Sequence, residues 1–363
     1  LDDLHWETST EYNYGADVML FGGRLKFTFD YYQKYIKDLL QKDYKLPSST
    51  GFGSVRYYNS GKMENKGWEF RADAIFWKNK DWQISGYVNL SRNENRITEL
   101  PGNMAQETYE ANNGKYAARV EVGQPVGAFY GYRYLGVYKD KDATYARDAS
   151  GNIMNDVHGK PIVMKNLTKA CQPGDAIYED INHDGVINQY DIVYLGNYNP
   201  VLTGGAGLTV KYKQVSLSAF FHGRFGQSIV NTARMNNESM YSDDNQSTAV
   251  LRRWRNEGDV TDIPRALYKE GYNYLGSDRF VEDASFIRLK TLTLNYLFPK
   301  KICNRLGINT LSCFVTGYNL FTWTNYTGQD PEVEIPTKPT DLAEDKATTP
   351  VSMRFAFGIN LNF

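Results

Sequence analysis

Long hydrophobic runs are absent from this sequence of 363 residues. Polar residues interrupt every apolar stretch before it approaches the roughly 18 residues that a membrane-spanning helix needs, which excludes helical spans. An excess of one charge is also missing, because 41 Lys and Arg balance 42 Asp and Glu without any basic block. Nucleic-acid-binding proteins carry a concentrated basic surface, so no nucleic-acid partner is expected.

Cysteine is scarce, and the usual signatures of secretion and catalysis are missing. Cys171, Cys303 and Cys313 are far apart and form no CxxC pair, so neither a disulfide framework nor a zinc site is supported. The chain opens at Leu1 without a signal-peptide pattern, and we expect it to begin inside a longer protein.

The four histidines lack the HExxH spacing, and no GxSxG, Walker or GxGxxG motif occurs. We therefore do not expect an enzyme. A carboxylate pair such as Glu69 and Asp73 is interpreted as lining of a polar surface rather than as an acid and base.

The sequence is instead rich in aromatic residues and in a two-residue alternation of apolar and polar side chains. Tyr, Phe and Trp make up 14% of the chain, more than a small water-soluble core uses. In the clearest case, apolar residues at every second position from Val351 to Phe363 fall on one face of a strand. The alternation predicts nine strands, at approximately 8–22, 23–40, 64–77, 82–98, 201–212, 214–229, 284–298, 308–323 and 351–363.

Short and long connections alternate strictly between these nine segments. The short ones are 22–23, 78–81, 213–214 and 299–307, and the long ones are 41–63, 99–200, 230–283 and 324–350. Transmembrane β-barrels have tight periplasmic turns, long extracellular loops and strands of about 9–11 residues or more. The sequence therefore predicts an all-β, antiparallel transmembrane barrel with aromatic side chains in two interfacial girdles.

Two details of the barrel prediction concern the count of strands. An aromatic stretch at 129–138 also resembles a strand, but one additional span would place the next turn on the wrong side, so we assign it to the extracellular loop 99–200. Nine strands are an odd number, and an open sheet would leave unpaired backbone groups in lipid. We expect further strands upstream or on a partner chain.

Several segments together resemble one family. They are Asn65–Glu69, Gly174-Asp175 followed by 178–185, Asp283–Lys290, Asn319–Trp323, Asp330-Pro331-Glu332 and the terminal strand ending in Phe363. In this order they resemble the C-terminal portion of SusC/RagA-type TonB-dependent outer-membrane transporters of Bacteroidetes, from about residue 5 to the end.

The resemblance implies a 22-stranded barrel in the outer membrane, of which residues 1–363 would supply the last nine strands. It also implies a plug domain, which is absent from this chain, in the remaining N-terminal segment. The implied partners are that segment, TonB acting through it, a SusD-like surface lipoprotein that forms a lid over the long loops, and outer-membrane lipid.

One stretch within loop 99–200, at 180–191, has the spacing of an EF-hand calcium loop. Asp180, Asn182 and Asp184 stand at positions 1, 3 and 5, Gly185 stands at the sharp turn, and the Val186 carbonyl and Asp191 stand at positions 7 and 12. These residues predict a structural Ca²⁺ site. Asp in place of Glu at position 12 shortens the reach, and an Asx-turn loop without an ion is the alternative.

Three aromatic residues are further candidates for a role. Terminal Phe363 resembles the signal that the outer-membrane assembly machinery recognises, and the alternative is an ordinary closing strand. Trp323 and Tyr326 are candidates for stacking on sugar rings or for anchoring at the membrane interface.

The sequence predicts part of a TonB-dependent importer of oligomeric nutrients, either glycan or peptide. The alternative is a soluble or surface-attached all-β carbohydrate-binding protein with a calcium-stabilised loop. A third possibility, a β-sandwich hydrolase, requires a cluster of catalytic groups that the sequence does not offer.

Overall fold

The computed structural model describes residues 4–45, 54–100, 114–117, 120–336 and 341–363. The strands are β1 (Thr8–Leu20), β2 (Leu25–Lys37), β3 (Leu40–Lys45), β4 (Ser54–Asn59), β5 (Lys62–Lys78), β6 (Trp82–Glu99), β7 (Ala128–Gly131), β8 (Tyr134–Val137), β9 (Lys165–Asn166), β10 (Lys169–Ala170), β11 (Ala176–Tyr178), β12 (Val186–Ile187), β13 (Val193–Asn197), β14 (Leu202–Tyr212), β15 (Val215–Phe225), β16 (Ser228–Val230), β17 (Val281–Asp283), β18 (Phe286–Leu297), β19 (Thr310–Thr324) and β20 (Arg354–Asn362).

Helices are few and short among the residues that the structure describes. They are α1 (Thr232–Asn237) and α2 (Lys300–Arg305), with single 3₁₀ turns at Phe21–Gly23, Asp142–Thr144, Gln189–Asp191, Thr248–Arg252, Gly271–Tyr274 and Asp278–Phe280. No helix among the described residues has the length and apolarity to span a membrane.

Nine strands form one antiparallel sheet in the order β1-β2-β5-β6-β14-β15-β18-β19-β20, so each strand pairs with the next of these nine along the chain. These are the nine predicted strands, and the prediction of an antiparallel sheet is confirmed. One end differs by several residues, because the predicted strand 214–229 stops at Phe225. Gly226 turns the chain with a φ of 72°, and Ser228–Val230 then pairs with Val281–Asp283 outside the large sheet.

The register of the sheet joins the apolar positions of separate strands into continuous rows. One row crosses eight strands without a polar side chain and consists of Val18, Phe27, Ala72, Val88, Ala206, Phe221, Leu289 and Phe321. The rows on either side of it are also apolar. Aromatic pairs lie at both ends of this face, with Trp82 against Tyr212 (4.4 Å) at one end and Phe221 near Trp323 (6.4 Å) at the other.

The opposite face of the sheet is polar along the same strands. A neighbouring row consists of Asp17, Thr28, Arg71, Asn89, Gly205, His222, Arg288 and Thr322. Its members are linked to each other and to adjacent strands, as in the Thr28 hydroxyl that donates to Asp17 (2.7 Å). The two faces therefore differ in the way that the sequence alternation predicts for a wall between lipid and a wet interior.

The antiparallel order places the long connections at one end of the sheet and the short ones at the other. The aromatic stretch 129–138 lies in the long connection after β6 as β7 and β8, which pair with β13 and β11 and not with the large sheet. Parts of the predicted loops 41–63, 99–200 and 324–350 lie outside the described residues.

The apolar core lies in the connections and not in the sheet. We call the described parts of the connections after β6, β15 and β19 the loop body. One of its clusters is built on Tyr130, Tyr132, Tyr178 and Ile187 of the first connection and includes Leu275 of the second. A second cluster draws on all three connections and consists of Tyr116, Phe129, Tyr198, Ile229, Val230, Met235, Phe280, Ala284, Tyr326 and Ala343.

Candidate functional site

The EF-hand-like loop 180–191 lies in the loop body, directly after β11, and contains β12 and the 3₁₀ turn Gln189–Asp191. Gly185 has a φ of 81°, and a Cβ there would lie 3.1 Å from the Ala146 Cβ, so the turn requires glycine. The loop is fixed to its surroundings, because Val186 and Ile187 pair with Lys165 and Asn166. The segment 180–191 is thus an ordered part of the loop body, held by strand pairing.

The acidic side chains of this loop bind its own backbone. The Asp180 carboxylate accepts hydrogen bonds from the backbone N–H groups of Asp184 (3.2 Å) and Gly185 (2.8 Å). Buried Asp191 accepts from those of Ile181 and Asn188, both at 2.8 Å. Asp180 and Asp191 therefore hold the start and the end of the loop together.

The position-3 and position-7 groups have partners inside the loop as well. The Asn182 amide donates to Asp184 (2.9 Å), whose other oxygen accepts from the Val186 N–H (2.8 Å). The Val186 carbonyl accepts from the Asn188 side chain at 3.0 Å. The predicted site residues are thus brought into one loop, joined by Asx-type hydrogen bonds.

The donor set of the loop suits calcium in its chemistry, since every predicted ligand atom is an oxygen. Burial raises the pKa of the Asp191 carboxyl, its backbone hydrogen bonds oppose that rise, and the nearby charges of Asp180 and Asp184 add to it. Across the described ranges, however, no group of three or more His, Cys, Asp or Glu side chains is arranged to hold a metal ion. The side-chain geometry is that of the Asx-turn alternative, with the calcium donors present but engaged with the backbone.

A buried ion network joins two of the motifs that the sequence singled out. Arg288 belongs to the Asp283–Lys290 motif. It donates to both acids of the Asp330-Pro331-Glu332 motif, Asp330 (2.5 Å) and Glu332 (2.6 Å), and to the Thr322 hydroxyl (2.8 Å). Lys290 also donates to Glu332, at 2.7 and 2.8 Å. Since Arg288 lies on the polar face, the network fastens the connection after β19 against the inner side of β18 and β19.

A second network joins two long connections to each other. Glu282 accepts from the Thr327 N–H (3.0 Å) and hydroxyl, and from Arg234 (3.1 Å). Arg234 also reaches Glu238, which in turn pairs with Arg279 at 2.8 Å. Burial favours the neutral form of Glu282, but the hydrogen bonds from Thr327 and Arg234 outweigh it and lower the pKa of this carboxyl.

Sequence reasoning did not foresee these networks. The sequence shows the motifs that contain Arg288 and Glu332, but it does not show that a residue of β18 contacts the connection after β19. The sequence offers one signal: the first motif carries the cations Arg288 and Lys290, and the second carries the acids Asp330 and Glu332.

The remaining predicted residues have clear positions. Trp323 lies on the apolar face and is 54% exposed, as interface anchoring requires. The prediction that Tyr326 could stack on sugar is wrong for this conformation, because its ring is buried and its hydroxyl donates to Asp345 (2.8 Å). Phe363 follows the last residue of β20 and is exposed. Glu69 and Asp73 share the polar face, where Asp73 accepts two hydrogen bonds from Arg71 at 2.7 and 2.8 Å.

The continuous apolar face, the polar inner face and the sorted connections are those of part of the wall of an outer-membrane-type β-barrel. A family model described as "TonB dependent receptor-like, beta-barrel" matches residues 2–158. The matched part of the chain thus resembles the β-barrel of TonB-dependent receptors.

Individual relatives agree with this assignment. TonB-dependent receptor P3 of Formosa agariphila is 30% identical over 372 residues, which cover 100% of this chain and 35% of that protein. TonB-dependent receptor SusC of Bacteroides thetaiotaomicron is 28% identical over 379 residues, covering 100% of this chain and 32% of SusC. The solved RagAB peptide transporter is 25% identical with a TM-score of 0.75, covering 99% of this chain and 36% of that chain.

These matches confirm the predicted SusC/RagA resemblance and its place in a barrel. The chain spans about a third of the length of the relatives that it matches.

Proposed function

We propose that this chain is the C-terminal wall of an outer-membrane importer that takes up an oligomeric nutrient, glycan or peptide, with energy from TonB. Nutrient would be captured at the long-connection end under a SusD-like lipoprotein lid, and a plug in the missing segment would then open a path. The chain's own part is to form the lipid-facing wall and to present the packed loop body at the mouth.

One observation supports this proposal above the others. Three adjacent rows of the sheet are entirely apolar and uncovered, while three of the long connections at one end pack into a body with a shared core. A water-soluble carbohydrate-binding protein has no use for so wide an uncovered apolar face. The RagAB name, which is that of a peptide transporter, favours a peptide as the cargo to test first.

The test is uptake by cells that carry the full-length gene. A deletion strain should lose accumulation of a fluorescent oligopeptide or oligosaccharide pool, and inactivation of TonB should cause the same loss. A lipoprotein should co-purify with the detergent-extracted receptor. Release of the protein from membranes without detergent, or uptake that persists after TonB inactivation, would contradict the importer.

We also propose that loop 180–191 takes a structural Ca²⁺ ion through Asp180, Asn182, Asp184, the Val186 carbonyl and Asp191. The oxygen-only donor set supports this, and binding would require the carboxylates to exchange backbone hydrogen bonds for the cation. The ion would stabilise the loop body and would take no part in chemistry.

Calcium binding can be measured by calorimetry on the receptor and by protection of loop 180–191 from proteolysis. We expect Asp184→Ala to weaken Ca²⁺ binding at least tenfold. The matched control is Asp156→Ala, since Asp156 forms an Asx turn of the same kind with the N–H groups of His158 and Lys160 but has no ligand set around it. Equal binding by both variants and the wild type would leave the Asx-turn loop as the correct description.

Phe363 is proposed as an assembly signal. Its exposed ring at the end of β20 is available to a recognising protein. Removal of Phe363 should reduce the receptor inserted in the outer membrane severalfold while the inserted fraction keeps its heat-modifiable barrel form. Normal insertion of the truncated protein would contradict this role, and Asn362→Ala serves as the control.

A further inference from the structure

The outward face of the sheet changes from apolar to charged side chains near the long-connection end of β2, β5 and β6. β5 and β6 have 17 and 18 residues, against 11 each for β14 and β15, so they continue past the end of the apolar rows. The last row on this side with aromatic residues on three strands is Tyr14, Tyr31 and Trp68, and Arg92 lies opposite Trp68. Aromatic residues of this kind mark the level of lipid headgroups.

Directly beyond that row lies a cluster that we call the outer basic patch, made of Lys66, Arg92, Glu94 and Arg96. All four are on the outward face, because Lys66 pairs with Glu94 and Trp68 with Arg92 in register. Three cations surround one carboxylate, with distances to Glu94 of 3.8 Å from Lys66, 4.0 Å from Arg92 and 3.4 Å from Arg96. The cationic side chains remain 41–55% exposed.

Among the described residues, the neighbouring acids form no ion pair with the three cations of the patch. Glu64 lies opposite Arg96 in register, but its carboxylate accepts from the Gln33 amide at 2.7 Å. Glu99 pairs with Lys62 at the far end of the two strands. Within the patch, three positive charges face one negative charge.

On its other side the sheet ends before the height of the patch, because β14 pairs with β6 only up to Thr203 and Ser91. There the last rows contain Gly223, Ile287 and Trp323. The excess positive charge is thus confined to one sector of the wall, at one height and on the lipid-facing side.

We propose that the outer basic patch binds the phosphate groups of anionic lipid headgroups in the membrane leaflet at the long-connection end. Arginine presents a planar fork of donors that matches phosphate oxygens, and two arginines flank the same strand position here. The phosphates supply the missing negative charge, while the acyl chains of the same lipid lie on the apolar rows below. This inference rests on the proposed placement of the long connections outside the cell.

The experiment uses the full-length receptor in nanodiscs that contain either phosphorylated lipid A or its dephosphorylated form, with bound lipid counted by native mass spectrometry. The wild type should retain phosphorylated lipid A selectively. Replacement of Lys66, Arg92 and Arg96 by Gln should weaken this binding about tenfold or more, and raised salt should weaken the wild type in the same direction.

Glu94→Gln provides the sharper variant, because it removes the only negative charge of the patch. We expect it to bind phosphorylated lipid A severalfold more tightly than the wild type, an effect that a purely structural role would not produce. The matched control replaces Lys139, Lys141 and Lys160, which are exposed cations of the loop body, and should change nothing.

Three outcomes would overturn the inference: equal retention of the two lipids, no gain in Glu94→Gln, or complete displacement of the lipid by inorganic phosphate, which would indicate a free-phosphate site. Nutrient uptake measured on the same variants separates this result from failure of the transport proposal, since the patch is remote from the interior and uptake should persist.

Discussion

The sheet and the loop body use the same aromatic and aliphatic residues in opposite ways. On β20 the apolar side chains point outward, and Phe357 is 82% exposed. In the loop body, Phe129, Tyr130 and Phe280 are fully buried. Hydrophobic burial therefore stabilises the loop body against water, whereas the sheet leaves its apolar surface for lipid to cover.

Charged groups divide in the complementary way. The polar face of the sheet carries open pairs such as Arg71 with Asp73, whose side chains are 51% and 40% exposed. The loop body encloses carboxylates such as Asp175, which has no exposed surface. We therefore expect the loop body to be destabilised by loss of a buried ion pair and the sheet by a charge on its apolar face.

The largest effect is expected from loss of a buried ion pair in the loop body. The Asp175 carboxylate accepts from the Arg265 guanidinium (2.6 Å), from Asn273 and from the Gln172 N–H. Arg265→Ala leaves a buried charge without its cation, at a cost of about 3–5 kcal/mol. Hydrogen exchange should show local opening of the loop body while the sheet strands stay protected.

The matched control for this prediction is Arg133→Ala. Arg133 pairs with Glu179 in the same loop body, but both side chains are partly exposed, so the expected cost is below about 1 kcal/mol. Equal effects of the two substitutions would contradict the role of burial at Asp175, and opening that spreads into the sheet would show that the two regions do not differ as described.

The next effect is expected from a charge on the apolar face. Leu208 lies between Gly86 and Ala219 in the middle of the apolar rows. Leu208→Arg should destabilise the receptor in bilayers by about 2–4 kcal/mol, because the charge faces hydrocarbon. Urea unfolding in phospholipid vesicles measures this loss.

Its control is the neighbouring residue on the opposite face, Thr209, whose hydroxyl is 3.0 Å from that of Ser218. Thr209→Arg points into the polar side and should cost clearly less than Leu208→Arg. A larger loss for Thr209→Arg than for Leu208→Arg would show that lipid contacts the opposite face of the sheet.

The sheet could be predicted from the sequence because each of its strands has a two-residue period and a sorted connection. Val351 to Phe363 shows the pattern within one segment, and pairing of successive strands requires no distant information. The end of β15 at Phe225 could not be read from the sequence because Ile229 is in phase with Phe221 and Phe225, while Gly226 redirects the chain.

The loop body could be predicted only in fragments. The hydrogen-bonded turn at 180–191 was visible as a motif, since Asp180 and Gly185 are close in sequence. The buried role of Tyr326 was not, because its partner Asp345 belongs to a contact made by tertiary packing. Contacts between connections, such as Arg288 with Glu332, leave no periodic signal along the chain.

The smallest effect is expected from titration of Glu282, which links two connections of the loop body. Its folded-state pKa lies below the usual value of 4.5, so its contribution to stability is complete above pH 4.5 and is lost as the pH falls through the folded-state pKa. Protonation weakens the hydrogen bonds from Thr327 and Arg234, by on the order of 1 kcal/mol. Exchange of the Thr327 N–H, corrected for its intrinsic rate, should accelerate in acid. Glu282→Gln keeps an acceptor oxygen but cannot titrate, so it should show little of this acid dependence. If the variant accelerates as much as the wild type, the link between the connections depends on another group.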